Sequence, residues 1–206
     1  MTYADVIRNF GAQGYFNLPK YLQLALTDKA TTRVTLHRWI KQGKIIHLRR
    51  GVYALPEDIA KNPITLERAA NAIYDGSYVT GLWRLNQLGL IPEGVIEVTN
   101  ATPKNPAIFD TPLGRYVYQH IGPAGFFGFE ELPDGLATVR VATPEKALLD
   151  FFWSRNIEWD KVEFARWRIQ NPFKKINFRR LHAYAKQWDQ PKLTRATERL
   201  TEYLAA

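Results

Sequence analysis

Apolar residues recur along this chain with two different spacings, and each change of spacing marks a new element. Tyr3, Val6, Ile7 and Phe10 fall at i, i+3, i+4 and i+7, one stripe of a helix. Thr2 is placed to cap it, Asp5 suits the positive first turn, and Gly11 is placed to stop it. Tyr15-Phe16 reads as a short strand. Pro19 opens a brief second helix whose expected inner face is Leu22, Ala25 and Leu26. Thr27-Asp28-Lys29 then reads as a turn between two helices.

The most informative run is residues 31–55. At about 100° per residue, Thr32, Leu36, Trp39 and Ile40 fall on one side and are expected to pack inward. Thr31, Val34, Arg38 and Lys41 fall on the other, with Thr35 and His37 on the flanks and Arg33 at the border. Gly43 ends the helix in a left-handed conformation. Two strand-like runs follow, Lys44 to Leu48 and Val52 to Leu55, joined by Arg49-Arg50-Gly51. A basic helix followed by a basic hairpin is the second half of a winged helix-turn-helix, so the fold class expected is α+β, beginning with that module.

Beyond it, Pro56 to Pro63 is a polar, proline-bounded stretch. It is expected to divide a winged helix-turn-helix unit at residues 1–56 from a mixed α/β unit with terminal helices at 63–206. In the second unit Leu66, Ala69, Ala70 and Ile73 make a helical stripe. Ile96 and Val98, Tyr116 and Val117, and Val139 and Val141 mark strands. Three amphipathic helices are expected at the end, from Val162, Ala165 and Ile169, from Phe178, Leu181 and Tyr184, and from Leu193, Ala196, Leu200 and Leu204. They break near Pro172 and Pro191.

Charge sharpens this picture. The net charge is +8, but residues 1–62 carry ten Lys or Arg against four acids, residues 63–160 seven against twelve, and residues 161–206 eleven against four. Two basic lobes bracket an acidic middle, and clustered cations are the footprint of a polyanionic partner. With no cysteine in the chain, disulfides and thiolate zinc sites are excluded and a reducing, cytoplasmic setting is expected. The first residues lack the long apolar run of a secretory signal, and no stretch approaches eighteen apolar residues, so no membrane partner is expected.

The candidate ligand is therefore duplex DNA. Thr31, Arg33, Val34, Thr35, His37, Arg38 and Lys41 are the candidates on the recognition helix, with the threonines, Val34 and Arg38 facing base edges. Lys44, His47, Arg49 and Arg50 are the candidates on the wing, with Lys41, Lys44, Arg49 and Arg50 holding the phosphate backbone. Both hairpin arginines are expected to project into solvent. Arg179, Arg180, Lys186, Lys192, Arg195 and Arg199, beside Lys174 and Lys175, form a candidate second basic surface for DNA or for an acidic protein.

Other candidates for chemistry have plainer readings. Thr143-Pro144-Glu145 starts a helix, and Glu145, Lys146 and Asp150 are expected to serve capping and surface pairing. The aromatic loop Gly125-Phe126-Phe127-Gly128-Phe129 is expected to fill a core edge or meet another subunit. His37, His47, His120 and His182 have no metal-ligand spacing, and phosphate-loop, dinucleotide and serine-nucleophile motifs are missing. No metal, cofactor or catalytic residue is expected.

The run WIKQGKIIHLRRGVYAL resembles the wing of the AbiEi family of antitoxins and transcriptional regulators in type IV toxin–antitoxin systems. Residues 78–82 and 85–91 resemble a helix and following segment of the same family, and VATPEKALLD at 141–150 is similar to its P-E-K-A-L-L-D segment. The resemblance implies a repressor that binds inverted repeats in its own promoter. It also implies a nucleotidyltransferase-like toxin as functional partner, without a stable complex between the two. A module that neutralises a partner directly, a regulator with no toxin, and an enzymatic antitoxin are the alternatives.

Overall fold

The computed structural model describes residues 1–26, 28–171 and 174–205, and they form an α+β structure. The first unit runs α1 (Tyr3–Phe10), β1 (Tyr15–Asn17), α2 (Leu18–Ala25), α3 (Lys29–Lys41), β2 (Ile46–Arg49) and β3 (Val52–Ala54). Its strands form one antiparallel sheet in the order β1-β3-β2. Thr2 and Asp5 make a reciprocal capping box on α1, and Asn17 and Asp28 cap α2 and α3. The expected turn at Thr27-Asp28-Lys29 lies partly outside the described residues.

Val6, Phe10, Phe16, Tyr21, Leu36, Trp39, Ile45, Tyr53 and Leu55 form the core between the helices and one sheet face. Phe16 stacks on both Phe10 and Tyr53 with centroids 5.0 and 5.3 Å away. The expected inner face of α2 needs correction. Tyr21 is the buried residue, whereas Leu26 is 92% exposed. The helix ends at Ala25, and Leu26 takes a left-handed cap conformation (φ 50°) that swings its side chain outward.

Period-2 alternation sends the other residues of β3 the opposite way. Val52 and Ala54, with Leu48, join Ala69, Ala70, Ile73, Val79, Val98, Tyr116 and Tyr118 in a second core cluster. The stretch 56–63 is likewise packed rather than free: Lys61 N donates to Gly11 O, and Arg68, 2% exposed, donates to the carbonyls of Asn62, Pro63 and Asp134. The two units thus share apolar surface across the back of the small sheet.

The remaining elements are α4 (Leu66–Ile73), β4 (Tyr78–Val79), α5 (Gly81–Gln87), β5 (Val98–Thr102), β6 (Ala107–Thr111), β7 (Gly114–His120), β8 (Phe129–Asp134) and β9 (Ala137–Ala142). They are followed by α6 (Pro144–Ser154), α7 (Lys161–Arg166), α8 (Phe178–Trp188) and α9 (Pro191–Ala205). Six strands make a mixed sheet in the order β6-β7-β5-β4-β9-β8. Adjacent residues Tyr78 and Val79 enter different core clusters, as do Val141 and Ala142, so the sheet is buried on both faces here. α4 lies on one side and α5 and α6 on the other.

Several expectations are corrected. Ile96 is 88% exposed and the strand starts at Val98. Tyr78–Val79 is a strand, with the helix beginning at Gly81. Val162 is 72% exposed, and Phe164 and Ile169 are the buried residues of that region. The break expected near Pro172 lies outside the described residues. Thr143 does cap α6, with Pro144 in its first turn. The aromatic loop does fill a core edge, with Phe126 and Phe129 against Tyr78 and Phe127 against Tyr184 and Trp188.

Candidate nucleic-acid interface

The site is built outward from the cap of α3. Asp28 Oδ1 accepts the amides of Ala30 and Thr31 at 2.8 and 2.9 Å, and Oδ2 accepts the Thr31 hydroxyl at 2.6 Å. These bonds, the Thr31 hydroxyl foremost, hold the Asp28 carboxyl below the usual carboxylate range. They also commit the Thr31 proton to the cap. Along the helix Thr32, Leu36 and Trp39 are buried, Thr35 and Ile40 are half-buried, and Thr31, Arg33, Val34, His37, Arg38 and Lys41 are exposed. Both faces match the sequence reading, and Arg33, the border residue, goes to the solvent side.

Arg33, Val34, His37, Arg38 and Lys41 line a groove of about 920 Å3, whose far wall carries His47 and Tyr53 from the sheet. The His47 and Tyr53 rings lie 5.5 Å apart. Lys44 stands over the Tyr3 ring at 5.4 Å and is exposed, while the Tyr3 hydroxyl donates to the Lys44 carbonyl. Among the described residues, Arg33, Arg38, Lys41 and Arg50 form no salt bridge. A thirteen-residue helix is about 20 Å long, and its cations stand free beside a concave apolar wall. Such a face attracts a polyanion, and its exposed Val34 supplies apolar contact within the charged field.

Arg49 behaves differently from its neighbour. Its guanidinium lies 5.8 Å from the centroids of both Tyr74 and Phe109, in the second unit. The expectation that it projects into solvent is corrected: it is half-buried, and Arg50 alone of the pair is exposed. The cause is the register shift between His47 and Arg49, which puts two residues of β2 against one of β3. Strict alternation would place Arg49 beside His47. The extra residue turns it to the side that Leu48 occupies, toward the second unit.

The candidate second surface is not one free cationic face. Arg180 Nε lies 2.8 Å from Glu145 Oε2, Arg199 and Arg195 lie 2.6 and 3.7 Å from Glu158, and Lys192 donates to the Arg155 carbonyl. Lys175 donates to the Leu88 carbonyl. Arg179 and Lys186 are exposed on α8.

Glu145, Lys146 and Asp150 are corrected from surface to interior, each at most 2% exposed. Lys146 pairs with Asp150, which also accepts the hydroxyls of Tyr78 at 3.0 Å and Thr80 at 2.6 Å. Burial pushes the Lys146 ammonium down, the Asp150 carboxyl up, and the Tyr78 phenol well above its ordinary value. Glu145 Oε1 accepts the Asn177 amide at 2.7 Å, tying α6 to the start of α8. Burial of these charges was signalled in sequence: Ala147, Leu148, Leu149, Phe151 and Phe152 leave this helix without a solvated side. Among the described residues there is no group of three or more His, Asp or Glu side chains able to hold a metal ion, and no helix is long and apolar enough to cross a membrane.

No protein-family model matches this chain, and none of the curated proteins matches it in sequence.

Proposed function

We propose that residues 1–55 are a winged helix-turn-helix that binds duplex DNA, with α3 as recognition helix and the β2–β3 hairpin as wing. The order of elements and the strand order β1-β3-β2 support the fold reading. The observation that carries the ligand is the unpaired cationic face of α3, with Arg33, Arg38 and Lys41 around Val34 on a groove closed by His47. In this reading α3 enters the major groove, Val34 and Arg38 meet base edges, and Lys41, Lys44 and Arg50 meet phosphates. The pairing of most cations in the C-terminal lobe leaves the N-terminal face as the main contact.

The function that fits is a transcriptional repressor of its own promoter, acting as an antitoxin of the AbiEi kind. The motif at 141–150 and the wing sequence support that finer reading. The test is a binding titration of the whole chain on the duplex upstream of its own gene, against an excess of random duplex. Retained binding under competition is expected. Equal affinity for both duplexes contradicts the repressor reading, and no binding to either contradicts DNA recognition altogether.

A further inference from the structure

We infer that Arg49 is a positioning residue: it clamps the β2–β3 hairpin onto the second unit and thereby fixes where Arg50 stands relative to α3. The inference rests on the DNA-binding reading for its consequence, but the clamp itself stands on geometry. The Arg49 guanidinium is equidistant, at 5.8 Å, from the faces of Tyr74 at the end of α4 and Phe109 on β6. Those rings are themselves locked, since both contact Tyr118, at 5.0 and 5.7 Å, and each other at 6.0 Å. Tyr118 in turn donates its hydroxyl to the Ala70 carbonyl at 2.7 Å. The Arg49 Nε is buried and has no hydrogen-bond partner, so the rings rather than an acid hold the cation.

The bulge gives this arrangement its purpose. It removes Arg49 from the face shared by His47 and α3, at the cost of one irregular ladder position, and leaves Arg50 at the tip. A hairpin fixed at one side presents its tip cation in one place. A hairpin freed from the rings samples several, and its apparent affinity falls with the fraction of time spent in the competent position.

The experiment compares the full-length chain with Arg49→Ala, Phe109→Leu, the double variant and Arg50→Ala, using hydrogen exchange of the free proteins and DNA titration over a salt series. Exchange at residues 49–52 is expected to quicken in Arg49→Ala and in Phe109→Leu. Both are expected to weaken DNA binding about three- to tenfold, with the slope of log affinity against log salt unchanged. The double variant is expected to bind no worse than either single one, because the two residues act as one clamp. Arg50→Ala, by contrast, is expected to lower the slope by about 0.9. A fall of that size in Arg49→Ala overturns the proposal by making Arg49 a phosphate contact. Unchanged exchange in Phe109→Leu overturns the clamp. Quickened exchange in a chain that binds no DNA overturns the positioning role together with the DNA reading, while leaving the clamp intact.

Discussion

The Lys146 ammonium, ion-paired with Asp150, also lies 3.9 Å from the centroid of the Trp188 ring. One buried cation is therefore held by a carboxylate along its own helix and by an aromatic face from α8. A charge so enclosed is costly unless each partner stays in place.

Removing only the cation is expected to be severe. Lys146→Met leaves Asp150, 2% exposed, with hydroxyl donors but no counter-charge. The expected loss is about 3–5 kcal/mol. Adding Asp150→Asn removes the stranded charge while its amide oxygen still accepts from Tyr78 and Thr80. Most of the stability is expected to return. Urea unfolding of the single and double variants checks both statements, and additive losses would sink the interpretation.

Trp188 can approach Lys146 only because residue 125 has no side chain. A Cβ built on Gly125 lies 2.4 Å from the Trp188 ring. Gly125→Ala is expected to displace the indole and cost about 1–3 kcal/mol. Near-ultraviolet circular dichroism reports the displacement, and denaturant midpoints report the loss.

In the first unit, the cap of α3 predicts a pH dependence. The folded Asp28 carboxyl titrates below its ordinary 3.8. Its stabilisation is thus fully present above the unfolded value and is lost as pH falls through the folded one. The stability gap between the native chain and Asp28→Ala is expected to be widest near neutrality and to shrink below about pH 4. A gap that stays constant across that range contradicts the cap.

Much of this architecture was legible in sequence, and the failures share a cause. The faces of α3 follow from helical periodicity because one side of that helix meets solvent. α6 has no such side, so its apolar run pointed to burial of Lys146 and Asp150 without naming Tyr78, Thr80 and Trp188 as their partners. Arg68 was invisible for a similar reason: its hydrogen bonds go to backbone carbonyls at 62, 63 and 134, and its acidic partner Asp134 is distant in sequence. Arg49 was misplaced because alternation is a rule for regular strands, and the register shift after His47 breaks it.

The same limit applies to the C-terminal cations. Composition counted them as a basic lobe, but folding brings Glu145 to Arg180 and Glu158 to Arg195 and Arg199 from distant positions. A Lys192→Ala/Arg195→Ala variant is accordingly expected to leave the salt dependence of DNA binding unchanged. A slope reduced by about 1.8 contradicts the view that the Arg155 carbonyl and Glu158 hold these two side chains.

The central claim is that the outer face of α3 neutralises DNA phosphates and reads the groove. Its most direct measurement is fluorescence anisotropy of a labelled upstream duplex titrated with the native chain and with Arg38→Ala/Lys41→Ala, over a salt series at constant pH. The expected result is tight, salt-dependent binding by the native chain and a slope smaller by up to about 1.8 in the variant, the upper figure if both side chains neutralise phosphates. Identical slopes and affinities for the two proteins contradict the claim.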